Sequence, residues 1–290
     1  MRVASNKLKD ILDFYYSELI NTYDRHEIEA IISIALHHYL GFSKTEIIKK
    51  ANDHINQSDL LKLYDCCKEL KKNIPLQYIL AEAWFYHLKF KVNTHVLIPR
   101  PETEELVDLI LKEGTKPASL LDIGCGSGCI PVALKKNLQA TTVSACDISK
   151  EALAIAKENA RLNDTDIHFF EADVLNTKFF VKKTEHPFEC IVSNPPYIKR
   201  KEALIMTKQV IDHEPHLALF VEEGDEIIFY KKIIDLCKVE LSSGGKLYFE
   251  LNPLTADDVL AYAEQSQLFV TCELMKDMSG KQRFFKGIRN

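Results

Sequence analysis

The stretch Leu120-Leu-Asp-Ile-Gly124-Cys-Gly126-Ser-Gly128 decides the fold, because a short apolar run ends there in three closely spaced glycines. The pattern predicts a buried strand that runs into a tight turn and then into a helix. Glycines let the backbone approach a ligand closely, and the N-terminus of a helix favours an anion. This stretch therefore predicts a ligand site in an α/β domain.

Short apolar runs alternate with amphipathic helices from Ser119 onward, for example at residues 151–162 and 225–240. This alternation predicts a doubly wound, Rossmann-like α/β fold with a mostly parallel seven-stranded sheet. No obvious helix separates the last two runs, which are expected to form an antiparallel hairpin at the sheet edge. The seven runs are residues 120–123, 143–146, 167–170, 190–192, 247–251, 268–272 and 284–288.

Residues 1–74 show the apolar spacing of helices and are expected to form a small bundle that recognises a partner. Asp24 and Glu27 have the spacing of a capping box, which predicts the start of one helix. Ser58 is expected to begin the fourth helix of the bundle, with Leu61, Tyr64 and Cys67 on its buried face.

Residues 75–100 are expected to link this bundle to the α/β domain of residues 101–290 through a β-hairpin. Apolar and charged side chains alternate over residues 86–92, which predicts one strand. Residues 95–99 are the second extended segment and the expected partner strand. Pro101 is then expected to begin a helix.

Composition excludes several classes of protein. The chain has 290 residues with 37 Lys and Arg against 42 Asp and Glu, a formal charge of −5. Proteins that coat duplex nucleic acid carry a basic footprint, so direct nucleic-acid binding is not expected. No apolar run approaches the roughly 18 residues that cross a membrane, and acidic residues interrupt the N-terminus where a signal or transit peptide would lie. No membrane association is expected.

The eight cysteines are scattered and form no Cys-x-x-Cys pair. This pattern predicts reduced thiols in a cytoplasmic protein, and no metal is expected because clustered ligands are missing. His213 and His216 come closest to a metal-ligand pair, and a polar loop is the preferred interpretation.

The glycine spacing here is Gly-x-Gly-x-Gly, which departs from the Gly-x-Gly-x-x-Gly of dinucleotide-binding folds. It resembles the first motif of S-adenosylmethionine-dependent methyltransferases. Asp147 ends the second run, where an acid accepts hydrogen bonds from ribose hydroxyls. Asp173 stands at the end of the next run, where such enzymes place an acid near the adenine of the cofactor. Val174 is expected to lie beside the adenine ring. The predicted cofactor site comprises Gly124, Cys125, Gly126, Ser127, Gly128, Asp147, Asp173, Val174 and Asn194.

Two alternatives to this interpretation stay open. The glycines also suit an ordinary tight turn without a ligand. Asp122 either orients the loop or binds the amino group of the ligand.

The most specific motif is Asn194-Pro195-Pro196-Tyr197, which follows an apolar strand. The prolines fix φ and remove two backbone donors, which leaves a rigid surface of carbonyl acceptors. The side-chain oxygen of Asn194 and the carbonyl of Pro195 are expected to accept the NH₂ protons of a planar amide or arylamine. Tyr197 is expected to pack flat against that planar group. Asn194, Pro195 and Tyr197 are the predicted catalytic residues, and together with Pro196 they form the predicted substrate site.

Three segments together resemble the HemK/PrmC family of peptide chain release factor glutamine N5-methyltransferases. They are Leu97-Ile-Pro-Arg-Pro-Glu-Thr-Glu104, the glycine-rich turn, and Ser193-Asn-Pro-Pro-Tyr-Ile198. Segments of the linker, of residues 213–219 and of residues 277–284 also resemble this family. Ala81 stands where the family usually has glycine, so it is strained if that position needs a positive φ. Glu250-Leu-Asn252 replaces the common Glu-Ile-Gly.

The resemblance implies that S-adenosyl-L-methionine is the cofactor and that the substrate is the glutamine of Gly-Gly-Gln in release factors 1 and 2. Methylation of this glutamine is then expected to modulate translation termination. Arg100 is expected to brace the cofactor pocket, and Phe85 belongs either to its wall or to the core. The basic triplet Lys199-Arg-Lys201 is expected either to bind an acidic protein surface or RNA, or to form a solvated loop without a partner. The alternatives are an adenine-N6 or ribosomal amino-group methyltransferase and a non-catalytic cofactor-binding module.

Overall fold

A computed structural model describes residues 5–114, 116–176, 187–222 and 224–290. The chain forms two compact units. One consists of Met1–Glu82 with Thr207–His213, and the other of Ala83–Met206 with Glu214–Asn290.

The N-terminal unit is built from helices, as the apolar spacing predicts. The helices of its first stretch are α1 (Leu8–Leu19), α2 (Arg25–Leu40), α3 (Lys44–Lys49), α4 (Gln57–Leu70) and α5 (Leu76–Leu80). The predicted capping box at the start of α2 is confirmed, because the side chains of Asp24 and Glu27 each accept the backbone N–H of the other residue. The apolar faces of these helices share one buried core, which includes Leu8, Ile32 and Leu63.

The start of α4 and the position of Leu61 differ from the prediction, whereas Cys67 is buried as expected. Asn56 rather than Ser58 caps the helix, since its side-chain oxygen accepts the N–H of Asp59 at 2.9 Å. Leu61 was expected to be buried but is 58% exposed, because it is out of phase with the apolar face. That face is formed by Leu63, Cys66, Cys67 and Leu70.

The predicted hairpin exists, but its strands are β1 (Glu82–Phe85) and β2 (Leu88–Lys91). Tyr86 and His87 connect them with φ values of 47° and 62°. Two successive left-handed residues form the type of turn that matches the twist of paired strands. The expected pairing with residues 95–99 was therefore wrong, because the two-residue turn joins β2 to the segment before it.

Ala81 follows α5 in the left-handed conformation, with φ 53° and ψ 30°. The position does require a positive φ, so the strain expected for alanine there is confirmed. A Cβ in this conformation costs about 1 kcal/mol.

The seven-stranded sheet predicted for the second unit is confirmed. Its strands are β3 (Ser119–Ile123), β4 (Thr142–Asp147), β5 (His168–Glu171), β6 (Phe188–Ser193), β9 (Leu241–Glu250), β10 (Phe269–Lys276) and β11 (Gln282–Arg289). They lie in the order β10-β11-β9-β6-β3-β4-β5, and β11 runs in the direction opposite to the other six. β10 and β11 form the expected hairpin. Two short strands, β7 (Ile198–Lys199) and β8 (Phe220–Val221), pair separately.

Helices cover both faces of the sheet, as a doubly wound fold requires. They are α6 (Pro101–Lys112), α7 (Cys129–Asn137), α8 (Lys150–Leu162), α11 (Ile228–Glu240) and α12 (Ala256–Gln265). The short helix α10 (His216–Leu219) lies in the same unit, and α9 (Lys208–His213) belongs to the N-terminal unit. Neighbouring residues of β9 enter cores on opposite faces of the sheet. Leu247 belongs to a core that includes Ile233 of α11, and Tyr248 belongs to a second core that includes Leu106 of α6. Phe85 is only 1% exposed and belongs to the same core as Tyr248. Of its two predicted roles, it therefore has the core role and not the one in the wall of the cofactor pocket.

Candidate active site

A cavity of about 320 Å³ opens at the carboxyl ends of β3, β4, β5 and β6. β4 and β6 lie on the two sides of β3, and doubly wound sheets bind ligands where the strand order reverses in this way. Gly128 and Tyr197, although predicted as site residues, do not line the cavity. The predicted residues that do line it are Gly124, Cys125, Gly126, Ser127, Asp147, Asp173, Val174, Asn194, Pro195 and Pro196.

The glycine-rich turn is held against the end of β4 by its own backbone. The N–H groups of Gly124 and Cys125 both donate to the carbonyl oxygen of Cys146, at 2.9 and 3.0 Å. A Cβ added at Gly124 or Gly126 would meet no protein atom within 4 Å. A ligand in the cavity can therefore touch bare backbone along this turn.

Gly128 serves packing between helices. It caps α7 with φ 78°, and a Cβ built on it would lie 3.0 Å from the Cβ of Ala156 in α8. Only glycine combines this backbone conformation with so close an approach of α8. Its predicted contact with a cofactor stays a prediction, while its contact with α8 is an observation.

Gly128→Ala is expected to lower the free energy of unfolding by about 2–4 kcal/mol, because it adds a left-handed alanine and a clash with Ala156. Gly280→Ala is the matched control. Gly280 has a similar φ of 80°, but a Cβ there meets nothing within 4 Å. Denaturant titration of both variants measures the difference, and equal losses would contradict the packing role.

Asp147 organises the turn before any ligand binds. Its Oδ2 accepts the N–H of Gly126 at 2.8 Å, and its Oδ1 accepts the N–H of Ser149 at 2.9 Å. Burial raises the pKa of Asp147, and these backbone donors oppose that rise. Each carboxylate oxygen keeps a second acceptor site, which suits ribose hydroxyls.

Asp173 and Val174 follow β5 and line the cavity. The Asp173 carboxylate accepts the N–H of Leu175 at 2.9 Å and also bonds the Asn176 side-chain amide. These bonds hold the chain in a turn that brings Val174 to the cavity wall. The adenine contact predicted for Asp173 and Val174 stays a prediction.

Asp122 is the unusual group beside the glycine-rich turn. It is fully buried, and neither carboxyl oxygen has a hydrogen-bond partner among the described residues. Burial, and secondly the charge of Asp147, raises its pKa. A buried acid without a partner is costly unless a ligand satisfies it. Asp122 does not line the cavity, whereas the bare turn and the acceptors of Asp147 do, and these suit S-adenosylmethionine, whose ribose hydroxyls are donors.

Asn194 stands directly after β6 and lines the cavity together with Pro195 and Pro196. Its side-chain Nδ2 donates to the hydroxyl oxygen of Thr103 at 3.2 Å. This bond uses the donor end of the amide, so the acceptor Oδ1 is the end available to a ligand. The predicted residue is present with an orientation that suits an NH₂ substrate.

Sequence reasoning missed the support of this motif. Thr103 donates to Oε2 of Glu250 at 2.6 Å, and the Tyr197 hydroxyl donates to Oε1 at 3.1 Å. Glu250 is 1% exposed at the end of β9. Burial raises its pKa, while these two donors and the charge of Arg283 lower it. Glu250 could have been found from the sequence, because it is an acid at the end of an apolar run, as Asp147 is.

Arg100 lines the cavity and is held by a buried acid. Its Nη2 donates to Oε1 of Glu214 at 2.5 Å, and the N–H of Ile98 donates to Oε2 at 3.3 Å. The Glu214 side chain is 1% exposed. The bracing role that the resemblance implies for Arg100 stays a prediction, and sequence reasoning did not identify its partner Glu214.

All eight cysteines carry free thiols, and seven are buried. Burial raises the pKa of Cys129, at the cavity wall, to about 12, so it stays a neutral thiol. In the part of the chain that the structure describes, no three His, Cys, Asp or Glu side chains are grouped so that they could hold a metal ion. None of the helices described is both long and apolar enough to span a membrane.

Comparison with known proteins agrees with this geometry. The family described as Methyltransferase small domain matches residues 102–228, and the family described as PrmC N-terminal domain matches residues 12–80. The release factor glutamine methyltransferase of Flavobacterium psychrophilum is 40% identical over 284 residues, which cover 96% of this chain and 98% of that protein. The protein of the same name from Bacteroides thetaiotaomicron is 39% identical over 279 residues, which cover 96% and 99%.

Among solved structures, the hMettl16 catalytic domain is similar with a TM-score of 0.52 at 14% identity. The match covers 81% of this chain and 82% of that one. At this level of identity the likeness concerns the fold alone, and it agrees with the Rossmann-like sheet described above.

Proposed function

The chain belongs to the release factor glutamine methyltransferase family, and from this membership we propose that it transfers a methyl group from S-adenosyl-L-methionine to the side-chain amide nitrogen, N5, of a glutamine in a peptide chain release factor. The glutamine is that of the Gly-Gly-Gln motif in release factors 1 and 2, so the reaction modulates translation termination. The observation that carries the proposal is the Asn194 amide at the cavity wall, whose donor end is occupied by Thr103.

An amide nitrogen is a weak nucleophile, because its lone pair is delocalised into the carbonyl group. Oδ1 of Asn194 and the carbonyl oxygen of Pro195 accept the two N–H protons of the substrate amide. Two such bonds hold the nitrogen in one orientation and stabilise the positive charge that develops on it. The nitrogen sheds its proton after attack, so no strong base is required beforehand.

When bound, S-adenosylmethionine supplies an electrophilic methyl group on sulfur, and the transfer forms an N–C bond, breaks an S–C bond and releases one amide proton. The turn from Gly124 to Ser127 would hold the cofactor through bare backbone. Asp147 would accept from the ribose, and Asp173 with Val174 would lie by the adenine. Asp122 is buried and does not line the cavity, so in this proposal it supports the turn and does not touch the cofactor.

Tyr197 supports the substrate loop from outside the cavity wall in this proposal. Its hydroxyl donates to Glu250, and its backbone carbonyl accepts from the Asn252 side chain at 3.2 Å. Burial, and then the Glu250 charge, raises the pKa of Tyr197, so the hydroxyl keeps its proton and remains a donor. These bonds favour a supporting role over the stacking contact predicted from the sequence.

The proposal also divides the labour along the chain. Residues 1–74 recognise the release factor, residues 75–100 link the two parts, and residues 101–290 carry out methyl transfer in the cytoplasm, where translation terminates. The net charge of −5 supports a protein substrate over a duplex nucleic acid.

A methyl-transfer assay with labelled S-adenosylmethionine tests the proposal. The substrates offered side by side are purified release factor, its Gly-Gly-Ala variant, bulk ribosomal protein, ribosomal RNA and duplex DNA. We expect label on the release factor and none on the Gly-Gly-Ala variant.

Each other outcome contradicts a defined part of the proposal. Label on DNA or ribosomal material alone would keep methyl transfer and overturn the release factor as substrate. Cofactor binding without label on any substrate would favour a non-catalytic cofactor-binding module.

A further inference from the structure

Both ends of the Asn194–Tyr197 loop connect to the buried carboxylate of Glu250, one end directly and the other through Thr103. The hydroxyl of Tyr197 donates to Oε1 of Glu250 at 3.1 Å. At the other end, Asn194 reaches Oε2 of the same residue through the hydroxyl of Thr103. Glu250 is 1% exposed and Thr103 is 3% exposed, so water does not compete for these bonds.

The carboxylate of Glu250 decides which group donates in each of these hydrogen bonds. An ionised carboxylate only accepts hydrogen bonds, so the Thr103 hydroxyl must donate its single proton to Glu250. The Thr103 oxygen can then only accept, and the group that faces it must be the Nδ2 donor of Asn194. The asparagine amide is thereby oriented with its Oδ1 acceptor away from Thr103.

Burial works against the ionised form of Glu250, and the groups that contact it work in favour of that form. The N–H of Leu251 donates to the carbonyl of Arg283, so the backbones of β9 and β11 meet beside the carboxylate. Burial is the largest influence and leaves the pKa of Glu250 raised, while the hydroxyl donors Thr103 and Tyr197 and the charge of Arg283 limit that rise. Asp277, whose Oδ2 accepts from Nε of Arg283 at 3.2 Å, holds that guanidinium in place.

We propose that Thr103 and Glu250 are positioning residues that orient the Asn194 amide, so that the motif presents a carbonyl oxygen and not an NH₂ group to the substrate. A flipped Asn194 would present donors to the NH₂ of the substrate, which would repel it. This inference rests on the proposed function, because it assigns the orientation of the residue that holds the glutamine amide.

The matched pair Thr103→Val and Thr103→Ser tests the proposal. Valine keeps the shape of the side chain and removes the hydroxyl, whereas serine keeps the hydroxyl. We expect kcat for release factor methylation to fall by about 10- to 100-fold in Thr103→Val, since misplaced reacting groups cost factors of this size. Thr103→Ser is expected to restore most of the rate, and both variants should bind S-adenosylmethionine as the wild type does.

Glu250→Gln provides a second variant of similar size. Its amide can accept from only one of the two hydroxyls, so kcat should fall while affinity for the cofactor is kept. Wild-type kcat in Thr103→Val, or equal losses in the valine and serine variants together with lower unfolding midpoints, would overturn the positioning role and leave the proposed function intact. A wild-type protein that labels no release factor would overturn both.

Discussion

Asn194→Ala is expected to lower kcat for release factor methylation by about 100- to 1,000-fold, the loss seen when a fixed hydrogen-bonding group for the transition state is removed. The side-chain oxygen of Asn194 is one of two proposed acceptors for the substrate amide. Without it the nitrogen is no longer held against the methyl donor, and the charge that develops on it loses a partner. Affinity for S-adenosylmethionine, measured by calorimetry, should stay largely intact, because the turn at Gly124 and Asp147 is unchanged.

Asn137→Ala is the matched control for this variant. Asn137 ends α7 and bonds the carbonyl of Ala133 in its own helix, outside the cavity wall. It should keep wild-type kcat. Unchanged turnover in Asn194→Ala would contradict the amide-clamp mechanism, and a matching loss of cofactor affinity would assign Asn194 to the cofactor instead.

Asp147→Ala is expected to raise the Kd for S-adenosylmethionine by about two orders of magnitude. The reason is twofold: the variant removes acceptors for the ribose hydroxyls, and it frees the N–H groups of Gly126 and Ser149 that hold the turn in shape. At saturating cofactor, kcat should recover far more than in Asn194→Ala, since the substrate loop is untouched.

Asp24→Ala controls for the loss of an acid that accepts a backbone N–H. Asp24 caps α2 in the N-terminal unit and accepts the N–H of Glu27 at 2.9 Å. The variant should lose stability without changing the Kd for the cofactor. An Asp147→Ala variant with wild-type affinity would remove this residue from the proposed cofactor site.

Much of the fold could be predicted because the patterns that encode it are local. Alternating apolar runs and amphipathic helices were sufficient for the seven-stranded sheet, and the Asp24–Glu27 spacing was sufficient for the start of α2. The predicted start of α4 was wrong because two nearby residues suit a helix cap almost equally well. Asn56 and Ser58 are both good caps, and only packing of Leu63 and its neighbours selects the start that leaves Leu61 exposed.

The hairpin error has a similar origin. Residues 95–99 look extended, but strand pairing depends on the turn that precedes β2. Tyr86-His87 is not one of the dipeptides, such as Asn-Gly or Asp-Gly, that mark a two-residue hairpin turn, so the sequence carried no strong turn signal there.

The sequence by itself determined the class of fold, the glycine-rich turn, the strand-end acid Asp147 and the Asn194–Tyr197 motif, because each depends on residues close together in the chain. Only the tertiary structure decided what those residues contact. Gly128 meets Ala156, and Thr103 joins Asn194 to Glu250, across 91 and 147 residues of chain. Such contacts depend on how helices and strands pack, and no local pattern specifies which distant hydroxyl or carboxylate will face a given amide.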